Sequence, residues 1–93
     1  MVFIFTVTTK DYARDEFIHS FEMMKSVPGF QSIELYQDCS NINKFTCVEY
    51  WDSHESHAQH VKEIPDEIRD QWLNLLEELP QGQFCKKITE ITI

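Results

Sequence analysis

The sequence predicts an α+β domain with the element order β-α-β-β-α-α-β, an antiparallel sheet with helices on one face. Three observations predict it. The apolar period switches between two and three-to-four along the chain. The few glycines and prolines fall at joints: Pro28-Gly29, Pro65, Pro80 and Gly82. The 93 residues include twelve aromatics, enough for one core.

Residues 2–8, V-F-I-F-T-V-T, are β-branched and aromatic, with apolar groups on both parities. This is the pattern of a strand covered on both faces. From Tyr12 the period changes. Ala13, Phe17, Phe21 and Met24 recur at three to four, which predicts an amphipathic helix over 11–26. Asp11 is placed to cap it, and Asp15 and Glu16 lie near its start, where the helix dipole favours acids. Val27-Pro28-Gly29 ends it, because proline cannot continue a helix and glycine permits a left-handed turn.

Residues 30–38, F-Q-S-I-E-L-Y-Q-D, alternate. Ile33 and Leu35 share one face, with Phe30, Ser32, Glu34 and Tyr36 on the other. The polar stretch Cys39 to Asn43 is a turn. Residues 44–51, K-F-T-C-V-E-Y-W, form the next strand, so 30–51 reads as a hairpin.

Asp52 is placed to cap a helix over 53–63, with Glu55 in the capping-box position and Ala58 and Val61 expected inward. Ile64-Pro65 breaks it. Pro65 suits the first turn of another helix and is followed by Asp66 and Glu67. Ile68, Trp72, Leu75, Leu76 and Leu79 then form an apolar stripe, with Trp72 read as core. Residues 83–93 alternate toward I-T-E-I-T-I, a final strand. The whole is the ferredoxin-like split βαβ arrangement, one domain over 1–93.

The formal charge of −8 disfavours nucleic acid and anionic membranes, since both select a basic face. Cys39, Cys47 and Cys85 are odd in number and lack C-x-x-C spacing, which reads as reduced thiols, with Cys47 in the core. The N-terminal apolar run of about six residues lacks a basic region before it, so neither a signal peptide nor a membrane span is expected. A cytoplasmic address follows. His54, His57 and His60 recur every three residues, but strict threes drift by about 60° per step around a helix. No Cys or third acid completes a metal set. Phosphate loops, nucleotide fingerprints and nucleophile elbows are missing.

Strands 2–8 and 44–51 are apolar on both parities, yet the helices of one chain cover one sheet face. A second copy is the simplest cover for the other. Two sheets packed face to face close into a shared barrel with helices outside, so a homodimer is expected.

Three pieces now line up: P-G-F-x-x-x-E-L-Y (Pro28 to Tyr36), V-E-Y-W (Val48 to Trp51), and W-x-S-x-E-x-x-x-x-H (Trp51, Ser53, Glu55, His60). In this order and with these elements the chain resembles the antibiotic biosynthesis monooxygenase family of dimeric α+β barrels. The resemblance runs from Phe3 to about Ile91. Members include cofactor-independent quinol and polyphenol oxygenases, haem-degrading oxygenases and enzymes acting on small signalling molecules, so fold does not settle chemistry. The haem branch uses a first-strand asparagine, a second tryptophan and an axial histidine. Ile4, His60 and Asp70 stand at those positions here, and all three depart.

The resemblance therefore implies oxidation of a small aromatic or quinol-like molecule by O₂, without metal, flavin or haem. Such chemistry needs a base, a dry aromatic pocket and donors for a developing oxyanion. His60 is the candidate base or hydrogen-bond partner. Glu49 and Trp51 share one strand face, and an inward Glu49 needs a partner, for which His60 is available. Thr6, Phe17, Phe21 and Tyr36 are expected to line the space between sheet and helix. Two other classes stay open: a non-catalytic binding or stress-linked barrel, and a non-redox isomerase using the same imidazole.

Overall fold

The computed structural model describes all 93 residues. Strands β1 (Val2–Thr8), β2 (Phe30–Gln37), β3 (Lys44–Trp51) and β4 (Gln81–Cys85) form one sheet in the order β2-β3-β1-β4, every neighbour antiparallel. The first three match the expected spans closely, because each is an apolar run bounded by turn residues. Helix α1 (Arg14–His19), α2 (His54–Glu63) and α3 (Asp66–Leu73) complete the α+β ferredoxin-like arrangement.

Parity sorts the sheet into two faces. The odd residues Phe5 and Val7 of β1 and Phe45, Cys47, Glu49 and Trp51 of β3 are buried under the helices. The even residues Val2, Ile4, Thr46, Val48 and Tyr50 lie half-buried on the open face. Phe5, Val7, Phe17, Phe45, Cys47 and Leu76 form the core cluster.

Several local expectations change. The 11–26 segment is helical throughout, but only Arg14–His19 is α; Asp11–Ala13 and Ser20–Ser26 are 3₁₀. The switch falls at Ser20, whose hydroxyl donates to the Phe17 carbonyl at 2.6 Å and so competes with the α ladder. Asp11 does not cap the helix. Its carboxylate accepts from Asn43 Nδ2 at 2.6 Å, which ties the β2–β3 turn to the helix start.

The β2–β3 register shifts between Phe30 and Ser32. The extra residue puts Phe30 opposite Trp51 on the helix side, not with Ser32, Glu34 and Tyr36. Ser53, not Asp52, caps α2, its Oγ accepting from Ser56 N at 3.1 Å, and Glu55 closes no capping box. Ala58 and Val61 point outward, Val61 being 53% exposed.

The stripe beyond α3 leaves the helix at Asn74, and Leu76 enters the core while Leu79 is exposed. Trp72 is half-buried, packed on Phe17 with its Nε1 donating to Ser20 Oγ at 3.2 Å. The final strand starts earlier and stops sooner than expected. Val2↔Cys85 is the last pair with β1, and residues 86–93 continue without a sheet partner.

Candidate active site

β3 delivers the site. Its last two inward residues, Glu49 and Trp51, are 6% and 1% exposed. Trp51 Nε1 donates to Glu49 Oε1 at 3.0 Å. Every fully enclosed side-chain oxygen has a partner and Glu49 Oε2 has none, so Oε2 reaches accessible space. Burial pushes the Glu49 carboxyl above its usual range, and the indole hydrogen bond pulls part of the way back. The neighbouring Cys47 thiol is pushed up to about 12, first by burial and then by the Glu49 charge, and stays protonated.

Rings enclose this pair. Register places Phe3 of β1 and Ile33 of β2 directly across from Glu49. Phe30 packs edge-on against Trp51 at 5.4 Å. From α2, His57 meets the Trp51 ring edge-on at 5.2 Å and His60 lies tilted at 5.7 Å. His57 also packs on Phe3 at 4.7 Å and on Phe84 at 5.2 Å. Burial lowers the pKa of both imidazoles and favours their neutral form; for His60 the Glu63 carboxylate works weakly the other way. A cleft of about 330 Å³ opens beside His60, between the Val27-Pro28 turn and α2.

The structure thus brings His60, Glu49 and Trp51 into one cluster. It does not pair His60 with Glu49: the sole partner of that carboxylate is the indole. The expected pocket lining divides two ways. Phe17 is fully enclosed and Phe21 packs on it edge-on at 5.2 Å, so both belong to the core under α1. Thr6 lies on the open face, because even residues of β1 point away from Phe5 and Val7. Tyr36 lies there too, 54% exposed, and donates to Glu34 Oε2 at 3.1 Å, while Tyr50 donates to Oε1 at 2.7 Å. Phe3, Phe30, His57 and Phe84 take the expected places around the pair instead. Phe3 was findable in principle, since it sits opposite Glu49 once the register is known.

No three His, Cys, Asp or Glu side chains converge as a metal site would require. No helix is long and apolar enough to cross a membrane.

The family model for antibiotic biosynthesis monooxygenase matches residues 1–65. Solved structures share the fold. The monooxygenase from the gene ActVA-Orf6 of Streptomyces coelicolor, in complex with nanaomycin D, superposes with a TM-score of 0.77 at 18% identity, covering 99% of this chain and 90% of that one. A candidate antibiotic biosynthesis monooxygenase from Deinococcus radiodurans gives 0.74 at 16% identity, covering 99% of each chain. A conserved protein of Methanosarcina mazei Go1 gives 0.72 at 19%, covering 92% and 91%. No curated protein matches. A family model that spans more than half of the 93 residues, on a fold shared along nearly the whole chain, decides the affiliation: the chain belongs to the antibiotic biosynthesis monooxygenase family.

Proposed function

We propose that the protein oxidises a small phenol- or quinol-type molecule with O₂ at the Glu49–Trp51 pair, with no metal, flavin or haem. The observation that carries this reading is the buried Glu49, held by Trp51 on one oxygen and open on the other within an aromatic frame. A carboxyl raised by burial is a better base near neutral pH than an exposed one. In this scheme Oε2 takes the proton of an aromatic hydroxyl. The electron-rich anion then reduces O₂. One oxygen atom replaces a ring hydrogen and becomes a quinone carbonyl. The other leaves as water, taking that hydrogen and the hydroxyl proton held by Glu49, so phenol and O₂ give quinone and water with the substrate supplying both electrons. Trp51 holds the carboxylate in place, and His60, kept neutral, offers a hydrogen bond from the wall of the neighbouring cleft. Family membership supports this reading, as does the nanaomycin D bound to the Streptomyces coelicolor neighbour.

The working unit in this reading is a homodimer. Val2, Ile4, Val48 and Tyr50 make the open sheet face partly apolar, and the tail exposes Ile88, Ile91 and Ile93. Three free cysteines suit a reducing, cytoplasmic setting.

Dioxygen uptake with a panel of reduced quinols and polyphenols tests the chemistry. Glu49→Gln is expected to slow turnover by roughly a hundredfold or more, the usual worth of a positioned base. Turnover that persists without oxygen would replace the oxygenase by an isomerase. One observation favours a non-catalytic binder instead: Phe17 and Trp51 are enclosed, and Phe21 and Trp72 pack on Phe17, which fills much of the layer between sheet and helices. Ligands that raise the melting temperature yet never consume oxygen would establish that alternative.

A further inference from the structure

Helix α2 is fastened to the sheet in an unusual way. Its aliphatic residues Ala58 and Val61 face outward, and none of its residues is fully buried. Its side-chain hydrogen bonds are local: Ser53 with Ser56 and Asp52, and Gln59 with Glu63. What touches the sheet is imidazole on aromatic ring. His57 lies on Phe3, Phe84 and Trp51, His60 on Trp51, and His54 on Phe84. The two ends of the helix differ. At the N-terminal end, Asp52 N donates to Gly29 O at 2.8 Å, and Ser56 sits so close to Gly29 that a Cβ there would stand 2.4 Å from Ser56 Cβ. Beyond that pin, the imidazoles hold the rest.

We propose that α2 is an acid-released flap: the neutral rings of His57 and His60 hold it shut over Trp51 and Glu49, and protonation of those rings lifts it about the Gly29–Ser56 pin. An imidazolium is far more hydrated than imidazole. His57 lies among the rings of Phe3, Phe84 and Trp51, which offer it no acceptor, and His60 lies on Trp51 beside the cleft it shares with Glu55 and Glu63. No carboxylate lies within ion-pair distance of any histidine. Few ionisable groups face the two rings. On β3 there is Glu49. Glu55, Glu63 and His54 stand on α2 itself, Glu55 and Glu63 lining the cleft beside His60, and Asp52 precedes it. The Met1 ammonium donates to the Trp51 carbonyl. The facing residues of β1 and β4, Phe3 and Phe84, carry no charge, and the Val27–Phe30 segment contributes none.

The sign follows from burial. Both histidines bind protons less readily in the closed state than in the open one, so closure is fully favourable above their ordinary value of 6.5 and weakens as pH falls below it. Glu49 acts in the opposite direction, since its proton is held more tightly when buried. The proposal requires the two histidines together to outweigh the one carboxyl. The flap is independent of any chemistry at Glu49.

Amide hydrogen exchange on the intact wild-type protein tests it, at about pH 7.5 and about pH 5.5, corrected for the intrinsic pH dependence of exchange. Exchange in His57–Glu63 is expected to rise by up to about tenfold per histidine, the ceiling set by pH 5.5 lying about one unit below the ordinary imidazole value, while β3 stays protected. Glu49→Gln should enlarge the response. His57→Phe with His60→Phe should abolish it. Should that double variant fail to fold, imidazole resonances of the wild-type protein decide. Titration of His57 and His60 below the ordinary value, together with faster α2 exchange at the lower pH, supports the flap. Titration at or above that value overturns it, as does unchanged α2 protection between the two pH values.

Discussion

Trp51 Nε1 and Glu49 Oε1 lie 3.0 Å apart on the same face of one strand, two residues removed in sequence and both buried. The indole is the only hydrogen-bond partner of that carboxyl. Trp51→Phe keeps an aromatic ring but removes the donor and leaves a gap. The loss is expected at about 2–4 kcal/mol, combining an unpaired buried oxygen with incomplete repacking. The Glu49 pKa should also rise further, because the contact that lowers it is gone. Urea unfolding measures the first effect, and carbonyl resonances of Glu49 followed against pH measure the second. A variant with an unmoved Glu49 titration would show that the indole does not hold the carboxyl.

The buried carboxyl also predicts how stability depends on pH. The folded state binds the Glu49 proton more tightly than the unfolded chain, whose value is near 4.5. Stability from this group is therefore full in acid and is lost as pH rises through the raised folded value. Glu49→Gln keeps an oxygen for Trp51 and removes the titration. The variant should gain on wild type as pH rises from about 4.5 toward neutrality. Slopes from His57 and His60 are common to both proteins and cancel in the difference. Urea midpoints at several pH values check this, and a constant difference would refute it.

The strands were legible because each is a short apolar run with turn residues at both ends. Which residues meet across the sheet was not, since register is a long-range property. Thr6 looked like a neighbour of Tyr36 and Phe17, but parity sends Thr6 and Tyr36 to one face and Phe17 packs on the other. Phe30 was misplaced for a related reason: one extra residue at the β2 bulge reverses its side. Ala58 and Val61 are the only aliphatics of α2, and apolarity alone assigns them to its inner face. Imidazoles facing Phe3, Phe84 and Trp51 compete for the inner face and win there. The Glu49–Trp51 pair is legible as two residues of one parity, whereas the indole's hydrogen bond to the carboxyl depends on side-chain rotamers that parity does not fix.

Gly29 gives a sharper test of the α2 docking. Its φ is +83°, in the left-handed region that L side chains avoid. A Cβ would also stand 2.4 Å from Ser56 Cβ and 2.6 Å from Asp52 Oδ1. Gly29→Ala thus combines backbone strain with displacement of the first turn of α2. The expected cost is about 2 kcal/mol or more, read as a fall in melting temperature, with amide shifts concentrated in Asp52–His57. A neutral substitution would mean that α2 is not pinned at this glycine.

The open face offers a test of assembly that leaves the site intact. Val48 is central on that face, opposite Ile4 on one side and Glu34 on the other. Val48→Lys puts a cation beside Glu34, a favourable cross-strand pair in a lone subunit. In a face-to-face dimer the same ammonium is stripped of water, which costs several kcal/mol. Wild type is expected to sediment at twice its 11.1 kDa chain mass, and Val48→Lys at the single-chain mass with an unchanged circular dichroism spectrum. Wild type that sediments as one chain at micromolar concentration would remove the dimer. A variant that stays dimeric would place the interface elsewhere.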